Sequence, residues 1–165
     1  MELQQAQNIS QQIIKKLEPF CSRIEVAGSI RRKKQFPRDI DIVLIPGNQG
    51  KLLNALQSLG PLKSGAGKLL RIELQYGYPV GLMLDVYIAA PETWATLLLI
   101  RTGSKEHNIK LCSLARQQGM VLHADGSGLF RIEPFNNVPV RIAGDTEESI
   151  FQALGLKYLK PEERN

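Results

Sequence analysis

Two stretches decide the fold of this chain: VAGSIRR at residues 26–32 and RDIDIVL at residues 38–44. The short apolar run at residues 24–27 predicts a strand, and this strand breaks at Gly28 into a basic turn. The chain then returns at residues 40–45 as a second apolar strand that carries two carboxylates. We predict that this strand, turn and strand form the unit on which the rest of the chain is organised.

Two acidic residues share one face of the second strand. Because alternate residues of a strand point the same way, Asp39 and Asp41 lie on one side, while Ile40 and Ile42 point into the core. Neighbouring carboxylates repel each other, and the usual reason for such a pair is a hard divalent cation bound by oxygen ligands. The pattern therefore indicates a metal site.

The turn between the strands supplies groups that suit a phosphate. Gly28 lets the backbone approach a ligand closely, and Ser29 offers a hydroxyl. Arg31 and Arg32 offer planar, permanently charged donors that match phosphate oxygens. Metal-binding carboxylates beside a phosphate-binding turn predict a site for nucleotide chemistry.

The composition is that of an ordinary globular protein with a moderate basic excess. Of 165 residues, 43% are hydrophobic and 22% charged, and the net charge of +5 favours a polyanionic partner. No apolar run approaches the ~20 residues of a membrane span, and the N-terminus lacks the features of a secretion signal. Cys21 and Cys112 are far apart in sequence. We expect a protein that is not secreted, with free thiols in a reducing compartment.

A third acid lies further along the chain. Residues 69–76 and 80–89 predict two strands, and in the second of them Asp85 alternates with aliphatic residues. A single aspartate facing away from an aliphatic set is usually only exposed to solvent. Because the same sheet already carries two acids on one strand, Asp85 is a candidate for the same site.

The second half predicts a separate lobe, because the composition shifts faintly at residues 90–91. Ser104 is a good N-cap for a helix that extends to about residue 118. His107, in the first turn of that helix, is interpreted as structural rather than catalytic. A hairpin is predicted over residues 120–132, and the acids at residues 145–148 indicate a helix start.

Four motifs in chain order resemble those of family X DNA polymerases. A Gly-Ser with an Asp-x-Asp alone would mark only the wider nucleotidyltransferase superfamily, whereas four ordered motifs are specific. They are GSIRR at 28–32 with DID at 39–41, LDV at 84–86, TGSKEHN at 102–108, and DTEESIF at 145–151 with LGLKY at 154–158 and PEER at 161–164. The resemblance covers nearly the whole chain from Ile24 onward.

The resemblance implies an α+β fold with two parts. Residues 1–90 would form the catalytic nucleotidyltransferase palm, a mixed sheet with flanking helices, and residues 91–165 a small α/β thumb that binds nucleotide and DNA. The implied enzyme is a DNA-directed DNA polymerase that adds dNTPs to a primer 3′-hydroxyl and fills short gaps in DNA repair. Primer–template or gapped DNA would be its partner, without a membrane, and we expect a monomer in the cytoplasm or another reducing compartment that contains DNA.

The resemblance also assigns the catalytic carboxylates. Asp39, Asp41 and Asp85 would hold two Mg²⁺ ions, with Mn²⁺ as the alternative metal, for two-metal nucleotidyl transfer. Asp85 would lie nearest the primer hydroxyl, where it is a candidate acceptor for the proton. In the family pattern these three aspartates are both the catalytic residues and the metal ligands.

Nucleotide contacts are assigned by the same comparison of motifs, motif by motif. In the palm they come from the turn with Gly28: Ser29 and Arg32 match positions that hold the β- and γ-phosphates, and Arg38 matches a backbone phosphate contact. In the thumb, Gly103 matches a turn that contacts the sugar, and the Gly–Ser peptide of that turn is cis in relatives. Lys105 matches a residue that lies over the incoming base, and Asn108 matches one that contacts the minor-groove edge of that base.

Three departures from the family pattern, at positions 83, 100–101 and 112, predict weak sugar discrimination and low fidelity. The chain before Ile24 is too short for a lyase domain, so we expect no lyase activity and weak, salt-sensitive DNA binding. Two other readings stay open. One is a nucleotidyltransferase that acts on a non-DNA acceptor, and the other is a noncatalytic nucleic-acid-binding module.

Overall fold

The computed structural model describes residues 1–65, 67–133 and 137–164. The chain divides into two compact units, Met1–Ala90 and Pro91–Asn165. This division falls at the same pair of residues as the predicted boundary between lobes. No helix in the described ranges is both long and apolar enough to cross a membrane.

The first unit alternates helices with strands. Its elements are, in chain order, α1 (Leu3–Leu17), a 3₁₀ turn (Glu18–Phe20), β1 (Cys21–Val26), α2 (Gly28–Arg31), β2 (Ile40–Pro46), α3 (Gln49–Gln57), β3 (Leu62–Ser64), β4 (Leu69–Glu73) and β5 (Met83–Ile88).

Five described strands of this unit form one sheet in the order β1-β2-β5-β4-β3. The β2–β5 pair is parallel and the other pairs are antiparallel, so the sheet is mixed, as predicted. Its aliphatic face, which includes Ile40 and Ile42, packs in one core with apolar residues of α1 such as Ile13. In α1 the buried residues recur every three or four positions, because 3.6 residues per turn places them on one stripe.

The basic turn between β1 and β2 folds as one turn of helix rather than as an open turn. The amides of Arg31 and Arg32 donate to the carbonyls four residues earlier, which closes the helical turn α2. The strand prediction over residues 69–76 is also too long. Tyr76 and Gly77 adopt positive φ angles of 56° and 102°, and the ladder ends before them at Glu73.

The second unit packs three helices with a small antiparallel sheet. Its elements are α4 (Trp94–Thr102), α5 (Lys105–Gln117), β6 (Met120–His123), β7 (Gly128–Ile132), β8 (Pro139–Ala143), α6 (Glu147–Ala153) and a 3₁₀ turn (Pro161–Glu163). The described strands follow the order β6-β7-β8, and β6 and β7 form the predicted hairpin.

Four short elements are missing from the sequence predictions: β3, β8 and the two 3₁₀ turns. All three residues of β3 are exposed, and β8 begins with a proline and buries only Ala143 fully. Such strands lack the alternation of buried and exposed residues by which a strand is recognised. The α+β class itself is confirmed by the two mixed units.

Candidate functional site

The strand register of the first unit brings two of the predicted acids side by side. Asp41 of β2 lies opposite Asp85 of β5 in the parallel ladder. Residues directly opposite each other on neighbouring strands share a face of the sheet. Asp85 therefore lies on the same face as Asp41, and Asp39 lies two residues before Asp41 on the same segment.

The ionised form of Asp41 is disfavoured by its surroundings. Burial, followed by the charges of Asp39 and Asp85, raises the pKa of Asp41 from 3.8 to about 7, although Tyr87 and Arg32 act in the opposite direction. The Tyr87 hydroxyl donates to Asp41 Oδ1 at 3.4 Å. Because a nearby positive charge favours the ionised carboxylate, a bound cation would relieve this repulsion.

Asp85 is held by an arginine from the strand on its other side. In the antiparallel β4–β5 ladder Arg71 lies opposite Asp85. Arg71 Nε donates to Oδ1 at 2.7 Å and Nη2 donates to Oδ2 at 2.6 Å. Across the parts of the chain that the structure describes, no three histidine, cysteine or acidic side chains stand ready to hold a metal ion. The acids are thus neighbours, but the Asp85 carboxylate faces a guanidinium.

The glycine turn is fitted closely against the acid strand. Ala27 N donates to the Asp41 carbonyl at 2.8 Å, which ties the turn to β2. Gly28 has a φ of +58°, and a Cβ at this position would overlap the Asp41 carboxylate, so the site requires glycine. Ser29 Oγ is buried and has no hydrogen-bond partner among the described residues. A buried hydroxyl without a partner is an exception that calls for a ligand or water.

The two arginines of the turn have different surroundings. Arg31 Nε donates to Glu25 Oε1 at 3.1 Å, so this side chain is engaged in an ion pair. Arg32 is half-buried and close enough to Asp41 to lower the pKa of that carboxyl. Arg38 is exposed immediately before Asp39. The charge of Arg32 thus acts on Asp41, and Ser29 directly follows Gly28, which packs against the Asp41 carboxylate.

The predicted nucleotide contacts of the second unit surround the junction of α4 and α5. The Gly103–Ser104 peptide is cis, as the resemblance implies, and Gly103 has a φ of +74°. Ser104 is the predicted N-cap, since its hydroxyl accepts from His107 N at 3.3 Å. Lys105 is exposed at the start of α5. Asn108 Nδ2 donates to the Ile100 carbonyl at 2.8 Å, and its buried Oδ1 has no partner within the described ranges.

His107 has the structural surroundings that the sequence predicts. Its ring lies against Phe151 with centroids 5.7 Å apart. Burial, then the positive charges of Arg164 and Lys110, lower the pKa of His107 to about 4. The ring is therefore neutral near pH 7 and acts as a packing group of the second core.

Motif reasoning missed Arg71, and it assigned no role to Arg164 although that residue lies in a quoted motif. Arg71 is invisible because strand register cannot be read from one sequence. Arg164 is fully buried, donates to Glu147 Oε2 at 2.6 Å and to the Leu159 carbonyl, and stacks on the rings of Phe151 and Tyr158. Its own carbonyl accepts from Ser104 N at 3.0 Å, which fixes the α4–α5 junction. The PEER motif was the available signal for it.

Comparisons of sequence agree with the resemblance. Residues 97–165 match the family described as DNA polymerase beta thumb. Over 164 residues the chain is 25% identical to "DNA polymerase/3'-5' exonuclease PolX" of Bacillus subtilis (strain 168), and the alignment covers 96% of this chain. It covers 27% of that protein, so the chain spans about a quarter of the length of this relative.

A solved structure shares the fold. It is that of the Leishmania infantum polymerase beta in a ternary P/T complex, which superposes with a TM-score of 0.82 at 21% identity. The match covers 100% of this chain and 76% of that one. This likeness shows the fold, and it agrees with the α+β class found here.

Proposed function

We propose that this chain is a family X DNA polymerase that adds dNTPs to a primer 3′-hydroxyl in short-gap repair. The basis of this proposal is its motifs, its thumb sequence and its fold. The thumb match, the PolX relative and the polymerase beta fold support the family assignment. The observation that carries the catalytic proposal is the register of β2 and β5, which sets Asp41 beside Asp85 near the glycine turn.

The residues present fit divalent cations. Asp39, Asp41 and Asp85 offer only oxygen donors, which suits Mg²⁺ and, as an alternative, Mn²⁺. Burial, and then the charges of Asp39 and Asp85, raise the pKa of Asp41, and a bound cation would favour its ionised form. We propose that the three aspartates hold two such ions. When bound, they supply Lewis-acid activation of the primer hydroxyl and charge neutralisation on the triphosphate.

The side chains of the palm then have separate tasks in the transfer. The primer oxygen bonds to the α-phosphorus while the bond to the β-phosphate oxygen breaks and pyrophosphate leaves. Ser29 and Arg32 bind the β- and γ-phosphates, with Gly28 allowing the close approach. Asp85 accepts the proton of the hydroxyl. The buried Ser29 hydroxyl, without a partner in the described part of the chain, supports a ligand at this turn.

The second unit supplies contacts to the rest of the nucleotide. Gly103 contacts the sugar, Lys105 lies over the base, and the side-chain amide of Asn108 contacts the minor-groove edge of the base. Primer–template or gapped DNA is the proposed partner, bound by a monomer. The net charge of +5 supports a phosphate backbone as partner, with affinity that falls as salt rises.

A primer-extension assay tests this proposal. The full chain is given dNTPs and Mg²⁺ or Mn²⁺ with gapped, recessed or single-stranded DNA, and templated addition is expected to be highest on the gap. Asp41→Asn and Asp39→Asn should reduce incorporation by at least a hundredfold. Asp145→Asn is the matched control, because Asp145 makes an exposed ion pair with Arg141 in the second unit.

Three outcomes would contradict the proposal in different ways. Full activity of Asp41→Asn would refute the metal assignment. Addition that ignores the template, or that uses only a non-DNA acceptor, would favour another nucleotidyltransferase. DNA binding without turnover at any divalent metal concentration would favour a noncatalytic module.

A further inference from the structure

Arg71, a residue outside every motif, forms an ion pair with Asp85. Arg71 forms two hydrogen bonds of 2.7 and 2.6 Å with Asp85, one to each carboxylate oxygen. Paired bonds between a guanidinium and a carboxylate are among the strongest side-chain contacts in proteins. Both oxygens that would serve a metal on Asp85 are therefore already engaged by a cation of the chain itself.

The exposed fractions of the two side chains distinguish the Arg71–Asp85 pair from the enclosed Arg164–Glu147 pair of the second unit. The Asp85 side chain is 5% exposed, whereas the Arg71 side chain is 48% exposed. In the second unit, by contrast, Arg164 and Glu147 are 0% and 7% exposed, so both partners are enclosed. A half-exposed arginine can turn its flexible side chain into water, where the guanidinium is hydrated, while the buried carboxylate cannot follow.

A divalent cation and the Arg71 guanidinium compete for the carboxylate of Asp85. Each needs its oxygens, and two positive groups at one carboxylate repel each other at short range. We propose that Arg71 is the resident counter-cation of Asp85: its two hydrogen bonds hold the carboxylate in position in the metal-free protein, and it is displaced when a divalent ion binds. Arg71 is thus a positioning residue. This inference rests on the proposed function only in taking Asp85 as a metal ligand.

The first test measures Mn²⁺ binding to the nucleotide-free full chain by electron paramagnetic resonance of the free ion. Removing the competing charge in Arg71→Met should tighten Mn²⁺ binding about tenfold. Arg71→Lys keeps the charge without the fork and should fall between that variant and the wild type. Lys63→Met is the control, because it breaks the pair of Lys63 with Glu73 without touching Asp85, and it should stay within about twofold.

Unchanged or weaker Mn²⁺ binding by Arg71→Met would overturn the proposal. A second measurement needs no variant. In ¹⁵N-labelled wild-type protein the Arg71 Nε–H proton should exchange slowly with water, because it is hydrogen-bonded to the Asp85 carboxylate. Mg²⁺ should abolish that protection. Protection that persists at Mg²⁺ saturation would overturn the proposal even if Arg71→Met fails to fold.

Failure of this inference and failure of the polymerase proposal are distinguishable. Primer extension by the wild-type chain tests the enzyme, whereas Mn²⁺ affinity in the absence of nucleotide and DNA tests Arg71. If Arg71→Met binds Mn²⁺ more tightly but the wild-type chain never extends a primer, the inference about Arg71 holds and the polymerase proposal is refuted. If the wild-type chain extends a primer but Arg71→Met binds Mn²⁺ no more tightly than the wild type, the polymerase proposal holds and the inference about Arg71 is refuted.

Discussion

Substitution of Asp41 by asparagine should stabilise the protein at alkaline pH when no divalent metal is present. Burial and the neighbouring acids Asp39 and Asp85 raise the pKa of Asp41 to about 7 in the folded protein, against 3.8 for an unperturbed carboxyl. The folded chain therefore binds this proton more tightly than the unfolded chain. Stability is fully present below pH 4 and is lost as the pH rises through 7, because the native state must then hold the charge.

The magnitude follows from the size of the shift. Each pKa unit corresponds to 1.36 kcal/mol, so a shift of about three units sets a ceiling of about 4 kcal/mol. Asp41 is only half-buried, and water screens part of the repulsion, so we expect about 2 kcal/mol at pH 8.5. An asparagine side chain at this position cannot ionise and avoids this destabilisation entirely, while it keeps an oxygen that can accept from Tyr87.

Urea unfolding in a chelating buffer at pH 4 and pH 8.5 measures this difference. Far-UV circular dichroism follows the whole chain, and fluorescence of Trp94, the single tryptophan, follows the second unit. Asp41→Asn and the wild type should differ little at pH 4 and by about 2 kcal/mol at pH 8.5. Equal stabilities at pH 8.5, or a less stable variant there, would refute the electrostatic reasoning. Asp145→Asn should show no pH-dependent gain.

Further substitutions probe the turn and the second core. Gly28→Ala should lower the free energy of unfolding by about 1–3 kcal/mol, measured in urea, because the new Cβ overlaps the Asp41 carboxylate at a positive φ; an unchanged value would contradict this. Ser29→Ala should not lower that free energy, because Ser29 Oγ has no hydrogen-bond partner to lose among the described residues, but it should weaken dNTP binding in a titration; unaltered binding would remove Ser29 from the site. Arg164→Met should cost about 3–5 kcal/mol in the Trp94 transition, because Glu147 loses its buried partner; a loss below about 1 kcal/mol would argue against it.

The architecture was largely predictable because it follows from local patterns. The alternation of acids and isoleucines from Asp39 to Ile42 set the exposed and buried faces of β2, and both isoleucines are fully buried. The cap at Ser104 and the free thiols of Cys21 and Cys112 are confirmed for the same reason, since each depends on short-range chemistry or spacing. The metal and nucleotide roles of the site residues stay predictions.

What escaped prediction depends on register between distant strands. Arg71 lies 14 residues before Asp85 in the chain, and only the β4–β5 ladder sets them opposite each other. A single exposed arginine in a strand carries no signal of its partner. For Arg31 the local sequence pattern was visible, but its partner was not. Its place in a basic turn predicted a phosphate ligand, whereas in the structure it pairs with Glu25.

Two buried polar groups in the motifs are candidates for ligand contacts. Ser29 Oγ and Asn108 Oδ1 belong to different units, yet both lie in motifs and neither has a hydrogen-bond partner among the described residues. A buried polar atom left without a partner costs about 1–3 kcal/mol, and alanine at either position would avoid that penalty. A phosphate oxygen that accepts a hydrogen bond from the Ser29 hydroxyl would remove this penalty at Ser29, whereas Asn108 Oδ1 needs a hydrogen-bond donor, which the guanine amino group offers at the minor-groove edge.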